Sequence, residues 1–156
     1  MSHEYTYDIS MFRDTFETRF TYLNGFLRNV SRFGSRPALF DPRSGRRWTY
    51  RELNAEANRL AHALRADGVG KNDVVMFTLL NSPEFVFCYL AAHKIGAVAC
   101  PVNYRQGAGE IALVIDDSTP KAFIYDAEFG ELSGGALDLC ESKPAIKIVV
   151  GADDAV

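Results

Sequence analysis

The run VVMFTLLNSPEFVFCYLAAHKIGAVACPVNYR, residues 74–105, decides the fold. Val74 to Leu80 is seven residues of apolar or β-favouring character between Asp73 and Asn81, a pattern that suits a strand buried on both faces better than an alternating surface strand. A helix is expected at once. Ser82 can cap it, Pro83 fits its first turn because the missing N–H would have no partner there, and Glu84 lies near the positive end of the helix dipole. Phe85, Val86, Tyr89, Leu90 and His93 recur at three- and four-residue spacing and predict one apolar face, and Gly96 supplies the stop. Ala97 to Val102 then reads as a short strand ending as it reaches Pro101. Strand, helix and strand in so short a span predict a right-handed βαβ unit, hence a parallel sheet.

The 156 residues, 47% hydrophobic and 24% charged, suffice for one core and are short for two domains. A net charge of -3 gives no general attraction to nucleic acid or to an anionic membrane. The basic cluster Arg43, Arg46 and Arg47 surrounds Ser44-Gly45 and reads as a solvated hairpin tip. Cys88, Cys100 and Cys140 are odd in number and far apart, which argues for buried thiols in a reducing compartment and against disulfides or a zinc site. The first thirty residues lack a signal-peptide pattern, and no uninterrupted apolar run approaches the roughly 18 residues a membrane span needs. A cytoplasmic protein without a membrane span is expected.

Along the chain, Phe12, Phe16, Phe20, Leu23, Leu27 and Val30 step by four or three and predict an amphipathic helix from Ser10 to about Phe33, its aromatic stripe serving the core. Ala38–Asp41 and Arg46–Tyr50 flank Pro42-Arg43-Ser44-Gly45 as a short hairpin. Thr49-Tyr50-Arg51-Glu52 is a capping box for a helix carrying Leu53, Ala57, Leu60, Ala61 and Leu64 on one face and closed by Gly68. After the central unit, a helix over Gly107–Asp117, strands at Ala122–Tyr125 and Ile146–Val150, and a helix over Glu131–Glu141 weakened by Gly134-Gly135 complete an α/β chain. The expectation is an N-terminal helix and short hairpin followed by alternating β-α units in a mainly parallel sheet. Ending at its newest strand, the sheet reads as a partial domain with an uncovered edge.

In open parallel sheets, ligands bind beyond the carboxyl ends of the strands, here Asn81, Asn103 to Gln106, Asp126 and Gly151. None of these carries a phosphate loop. Gly68-x-Gly70 lacks a third glycine and precedes a strand instead of following one; a nucleophile elbow and an H-E-x-x-H helix are absent from the sequence. His62 and His93 read as surface or packing residues, and Asp116-Asp117 as a solvated helix end whose two carboxylates face different directions. No catalytic residue and no metal ligand is predicted.

T-Y-R-E-L at 49–53, N-R-L-A at 58–61, G-V at 68–69, D-V-V at 73–75, N-S-P-E-F at 81–85, G-A-V at 96–98 and P-V-N-Y-R at 101–105 together resemble, in order and spacing, the N-terminal part of AMP-forming acyl-CoA synthetases. Glu110-Ile111, Asp117-Ser118 and Phe123-Ile124 continue the resemblance, which covers roughly Arg36 to Tyr125. Asn72 departs from it, standing where the family usually has glycine.

The resemblance implies that residues 1–156 are an incomplete part of one N-terminal subdomain, with the rest of the large domain and the mobile C-terminal domain absent. The parent would be an ATP-dependent ligase that turns a carboxylic or fatty acid into an acyl-adenylate and then a CoA thioester, using ATP, magnesium and CoA. The family's Ser/Thr/Gly-rich loop ending in Pro-Lys and its later motifs do not occur here. The chain alone is therefore expected to be inactive and to bind none of these cofactors. Two alternatives stay open: an independent non-catalytic binding or interaction module on the same scaffold, and a part of an adenylating enzyme that loads a carrier protein. Asn103-x-Arg105 matches the family's N-x-R, so Arg105, with Asn103 beside it, is the candidate contact to a phosphate of CoA. Self-association through uncovered sheet surface is also expected.

Overall fold

The computed structural model describes residues 9–151. Four parallel strands form the sheet: β3 (Val74–Thr78), β4 (Val98–Pro101), β5 (Ala122–Asp126) and β6 (Ile146–Val150), in the spatial order β4-β3-β5-β6. The remaining strands, β1 (Pro37–Phe40) and β2 (Arg47–Thr49), pair antiparallel as the expected hairpin. The chain steps one way from β3 to β4, then reverses past β3 to β5 and β6. Right-handed crossovers that run in opposite directions must place their helices on opposite faces. Accordingly α4 (Pro83–Ile95) packs on one face and α5 (Ala108–Ser118) and α6 (Gly130–Leu139) on the other.

Strand alternation divides the core along the same line. Val75, Phe77, Leu79, Ala122 and Ile124 meet Leu64 of α3 (Tyr50–Ala66) and Cys88, Ala91 and Ala92 of α4. Met76 and Phe123 meet Ile111, Ala112, Ile115 and Ala136 on the opposite side. Phe77 and Phe123 have no exposed surface, and burying each contributes about 1.5–3 kcal/mol. Pro101 lies on edge strand β4, where its lack of a donor leaves the ladder intact. Asn72 adopts φ 68°, so this position does ask for a left-handed residue, and asparagine is among the side chains that tolerate it.

Five expectations are corrected. The N-terminal helix is not continuous: α1 (Ile9–Phe12) leads into a π-helical turn, Arg13–Glu17, and α2 (Tyr22–Phe33) starts anew. The break is local chemistry. Thr21 accepts from the Asn24 N–H at 3.2 Å while Asn24 Nδ2 donates to the Thr18 carbonyl at 2.7 Å, giving the backbone partners outside a helix. Secondly, the aromatic stripe does not serve the core: Phe12, Phe16 and Phe20 are exposed and stack on one another at 4.8 and 5.3 Å, while Phe26 makes the contact with the core. Thirdly, Ser82 occupies the N-cap position of α4, but its hydroxyl makes no capping bond. Fourthly, α4 has two covered faces: Cys88, Ala91 and Ala92 press on the sheet, while Leu90, Val86 and Phe87 join Trp48, Leu53 and Phe26 in a second cluster behind it. The strand expected over Val74–Leu80 also leaves its ladder at Thr78.

Candidate functional site

The carboxyl ends of three strands converge on one cleft. Asn81, Ser82, Pro83 and Glu84 follow β3, Asp126 ends β5, and Val150-Gly151 ends β6. The hairpin tip closes the fourth side with Asp41, Arg43, Ser44, Arg46 and Trp48, enclosing about 320 Å³. The tip is held by Asp41, whose carboxylate accepts from the Arg43 N–H at 3.0 Å, the Ser44 N–H at 3.2 Å and the Ser44 hydroxyl. The Ser44 hydroxyl, foremost, and these amides hold the Asp41 carboxyl below the usual aspartate range. The Arg46 guanidinium lies 4.7 Å over the Trp48 ring and that of Arg47 lies 4.2 Å over Phe40. The three arginines are exposed, as a solvated tip should be, yet Arg43 and Arg46 also line the cleft.

Three of the four strand-end positions expected from the sequence, Asn81, Asp126 and Gly151, do meet here, whereas the part of the hairpin tip was not readable, because hairpin and sheet ends are separated by the whole of α3. The nearest signal was the Asp-Pro-x-Ser-Gly turn with its flanking arginines, which specifies a tip but not what it faces. Chemically the cleft offers guanidinium donors, carboxylate acceptors and the start of α4, an arrangement suited to holding a polar group. Among the described residues that line it there is no cysteine or histidine, and its one hydroxyl–carboxylate pair, Ser44 with Asp41, is the bond that holds the tip. Cys88 lies on the sheet-facing side of α4, where burial first and then Glu84 push its thiol up to about 12; burial also raises Cys100, so neither is a ready thiolate. His93 is a packing residue: its ring stacks on Tyr89 at 4.7 Å, with Nδ1 2.7 Å from the Tyr89 carbonyl oxygen, while His62 is exposed.

Asn103 and Arg105 lie together, apart from that cleft, on the turn leaving edge strand β4. The Asn103 side-chain oxygen accepts from the Arg105 N–H at 3.0 Å, and the Asn103 carbonyl accepts from the Gln106 N–H at 3.1 Å. Both bonds fix the turn from within. Tyr104 between them stacks flat on Phe129, centroids 4.9 Å apart at 9°, and the Arg105 guanidinium stands 5.7 Å from the Tyr104 centroid. Arg105 is exposed and makes no ion pair with a described residue. A braced turn thus presents a permanent cation whose donor fork can receive an anion.

A family model described as AMP-binding enzyme matches residues 26–156. The 3-hydroxybenzoate–CoA/4-hydroxybenzoate–CoA ligase of Thauera aromatica is 44% identical over 107 residues, which are 69% of this chain and 20% of that protein. The long-chain-fatty-acid–CoA ligase FadD13 of Mycobacterium tuberculosis is 42% identical over 90 residues, 58% of this chain and 18% of its own length. Among solved structures, a fatty acyl CoA synthetase of Mycobacterium tuberculosis superposes with a TM-score of 0.76 and 32% identity, covering 85% of this chain and 27% of that one. The chain therefore spans about a fifth of the curated relatives it matches. The shared sheet, the seven motifs in register and a family match running through every strand of that sheet agree: the chain belongs to the AMP-binding enzyme family, the AMP-forming acyl-CoA synthetases, and corresponds to their N-terminal part.

Proposed function

We propose that this chain is the N-terminal portion of a subdomain in an ATP-dependent acyl-CoA synthetase, which joins a carboxylic or fatty acid to CoA through an acyl-adenylate. The observation that carries the reading is the family match over 26–156, together with relatives whose names are CoA ligases for aromatic and long-chain acids. Within such an enzyme this portion supplies scaffold and, at its β4 edge, the Asn103–Arg105 turn.

That turn fits a phosphate of CoA: Arg105 is exposed, without an ion pair to a described residue, and held by Asn103 and by the Tyr104–Phe129 stack. Bound there, CoA would supply the thiol that accepts the acyl group, while Arg105 orients its phosphate and neutralises charge. The strand-end turns at Asn81, Asn103 and Asp126 have no glycine-rich cradle for a triphosphate, so ATP, its magnesium and the acid belong to other parts of the parent enzyme. The chain on its own neither adenylates nor responds to ATP.

In the full-length enzyme, pyrophosphate release should depend on acid and ATP, and thioester formation on CoA. Absence of acid-dependent pyrophosphate release would remove the ligase reading. Arg105→Ala should raise the KM for CoA and leave pyrophosphate release nearly intact. Equal loss in both half-reactions would make Arg105 a structural residue.

A further inference from the structure

Four buried side-chain oxygens have no hydrogen-bond partner among the described residues: Ser82 Oγ at the start of α4, and Thr78 Oγ1, Ser133 Oγ and Gln106 Oε1 on β3, α6 and the β4–α5 turn. Thr78 and Ser133 are wholly inaccessible residues. Leaving a buried hydroxyl unpaired costs about 1–3 kcal/mol, so three in one layer need a common explanation.

Register brings them together. Met76 of β3 and Ala136 of α6 belong to the same core cluster, together with Phe123 of β5 and Ile111 and Ile115 of α5. Thr78 follows Met76 by two residues, on the same side of β3 and about 6.6 Å nearer the carboxyl end. Ser133 precedes Ala136 by three, on the same side of α6 and about 4.5 Å nearer that end, because α6 runs against the strands. Both hydroxyls therefore lie on the α5/α6 side of the sheet, one layer nearer its carboxyl end than the cluster that holds Met76 and Ala136. Gln106 enters from the third side: Val102 donates to the Phe77 carbonyl at 2.9 Å, which sets the chain after β4 beside Thr78, and Gln106 closes the turn that follows.

We propose that Thr78, Ser133 and Gln106 form one buried hydration site, taking an ordered water bonded to all three, beneath the turn that carries Arg105. One water accepts from or donates to about three groups, which matches the number available here. Direct pairing of Thr78 with Ser133 would satisfy two of the three oxygens and leave that of Gln106 unpaired. The site links β3, α6 and the β4–α5 turn through a molecule that no side chain replaces, and it stands whether or not the parent proves to be a CoA ligase.

A high-resolution crystal structure of the full-length protein should show an ordered water within hydrogen-bond distance of all three oxygens. A dry site, or hydroxyls bonded only to protein atoms, would overturn the proposal. Thr78→Val, which keeps the shape and removes the hydroxyl, should lower the thermal midpoint by roughly 2–4 °C. An unchanged or raised midpoint would mean that the hydroxyl bonded nothing. If that variant does not fold, the water density of the unsubstituted protein decides alone.

Discussion

The two faces of the sheet are built differently. On the α3/α4 side the core is two layers deep: the strands meet α4, and α4 in turn is backed by Trp48, Leu53, Leu90 and Phe26, with Trp48 edge-on to Phe87 at 5.9 Å and Phe85 edge-on to Phe77 at 5.1 Å. On the α5/α6 side one layer of helices covers the strands, and those helices turn Leu113 and Leu139 to solvent at 71% and 63% exposure. A polar contact ties the thin side together where Asp116 accepts from the Glu141 and Ser142 amides. Packing stabilises one face, then, and specific polar contacts stabilise the other.

The largest expected effect tests that contrast at its thick side. Phe77→Ala should cost about 3–5 kcal/mol in a denaturant titration, because the surrounding side chains are themselves backed and cannot collapse into the space. Ile111→Ala on the thin side should fall near the low end of about 2–5 kcal/mol, since α5 can shift toward its neighbours. Equal costs would mean that the second layer does not stiffen the first.

Next in size is Asp116. Its Oδ1 accepts from the Glu141 N–H at 2.9 Å and the Ser142 N–H at 2.8 Å, tying the segment between α6 and β6 to α5. Asp116→Ala should cost about 1.5–3 kcal/mol, the range for a bond to a charged group, and should speed hydrogen exchange at those two amides. Exchange unchanged at 141 and 142 would show that the segment is held by something else.

Much of this was legible in the sequence where one neighbour decides the environment. The hairpin, the Thr49 box, the α5 stripe of Ile111 and Ile115 and the four sheet strands follow from local pattern. Apart from the break before α2 and the unused Ser82 hydroxyl, which are local, the failures share one cause. Whether α4 has one covered face or two, whether Phe12 to Phe20 meet the core, and that Asp116 reaches residues 141 and 142 all depend on contacts across long stretches of chain, which periodicity does not record. The candidate site divides in the same way. Asn103 and Arg105 were legible as a strand-end turn through the resemblance, whereas the cleft between the hairpin tip and the ends of β3, β5 and β6 exists only once the chain is folded.

The smallest expected effects compare how the two faces begin their helices. At α3 the box is reciprocal: the Glu52 N–H donates to Thr49 Oγ1 at 3.3 Å, and the Thr49 N–H donates to Glu52 Oε2 at 2.8 Å. At α5 half is present, because the Gly107 N–H donates to Glu110 Oε2 at 2.8 Å but glycine has no side chain to return the bond. Thr49→Ala should therefore cost about 1 kcal/mol. The Thr49 N–H, foremost, and the Thr49 hydroxyl hold Glu52 below its usual range. A carboxyl lowered on folding contributes stability that is fully present above its unfolded pKa of about 4.3 and is lost as pH falls through the folded value. The penalty of Thr49→Ala should accordingly shrink in acid. Gly107→Ser runs the comparison in reverse. Gly107 has an ordinary φ of -75°, and the nearest atom to an added Cβ would be Glu110 Oε2 at 3.9 Å, so serine fits unstrained and can cap the N3 amide. It should raise stability by a few tenths of a kcal/mol, the usual difference between serine and glycine at a cap. A destabilising Gly107→Ser would show that the half-formed cap on the thin face is held open by something other than a missing hydroxyl.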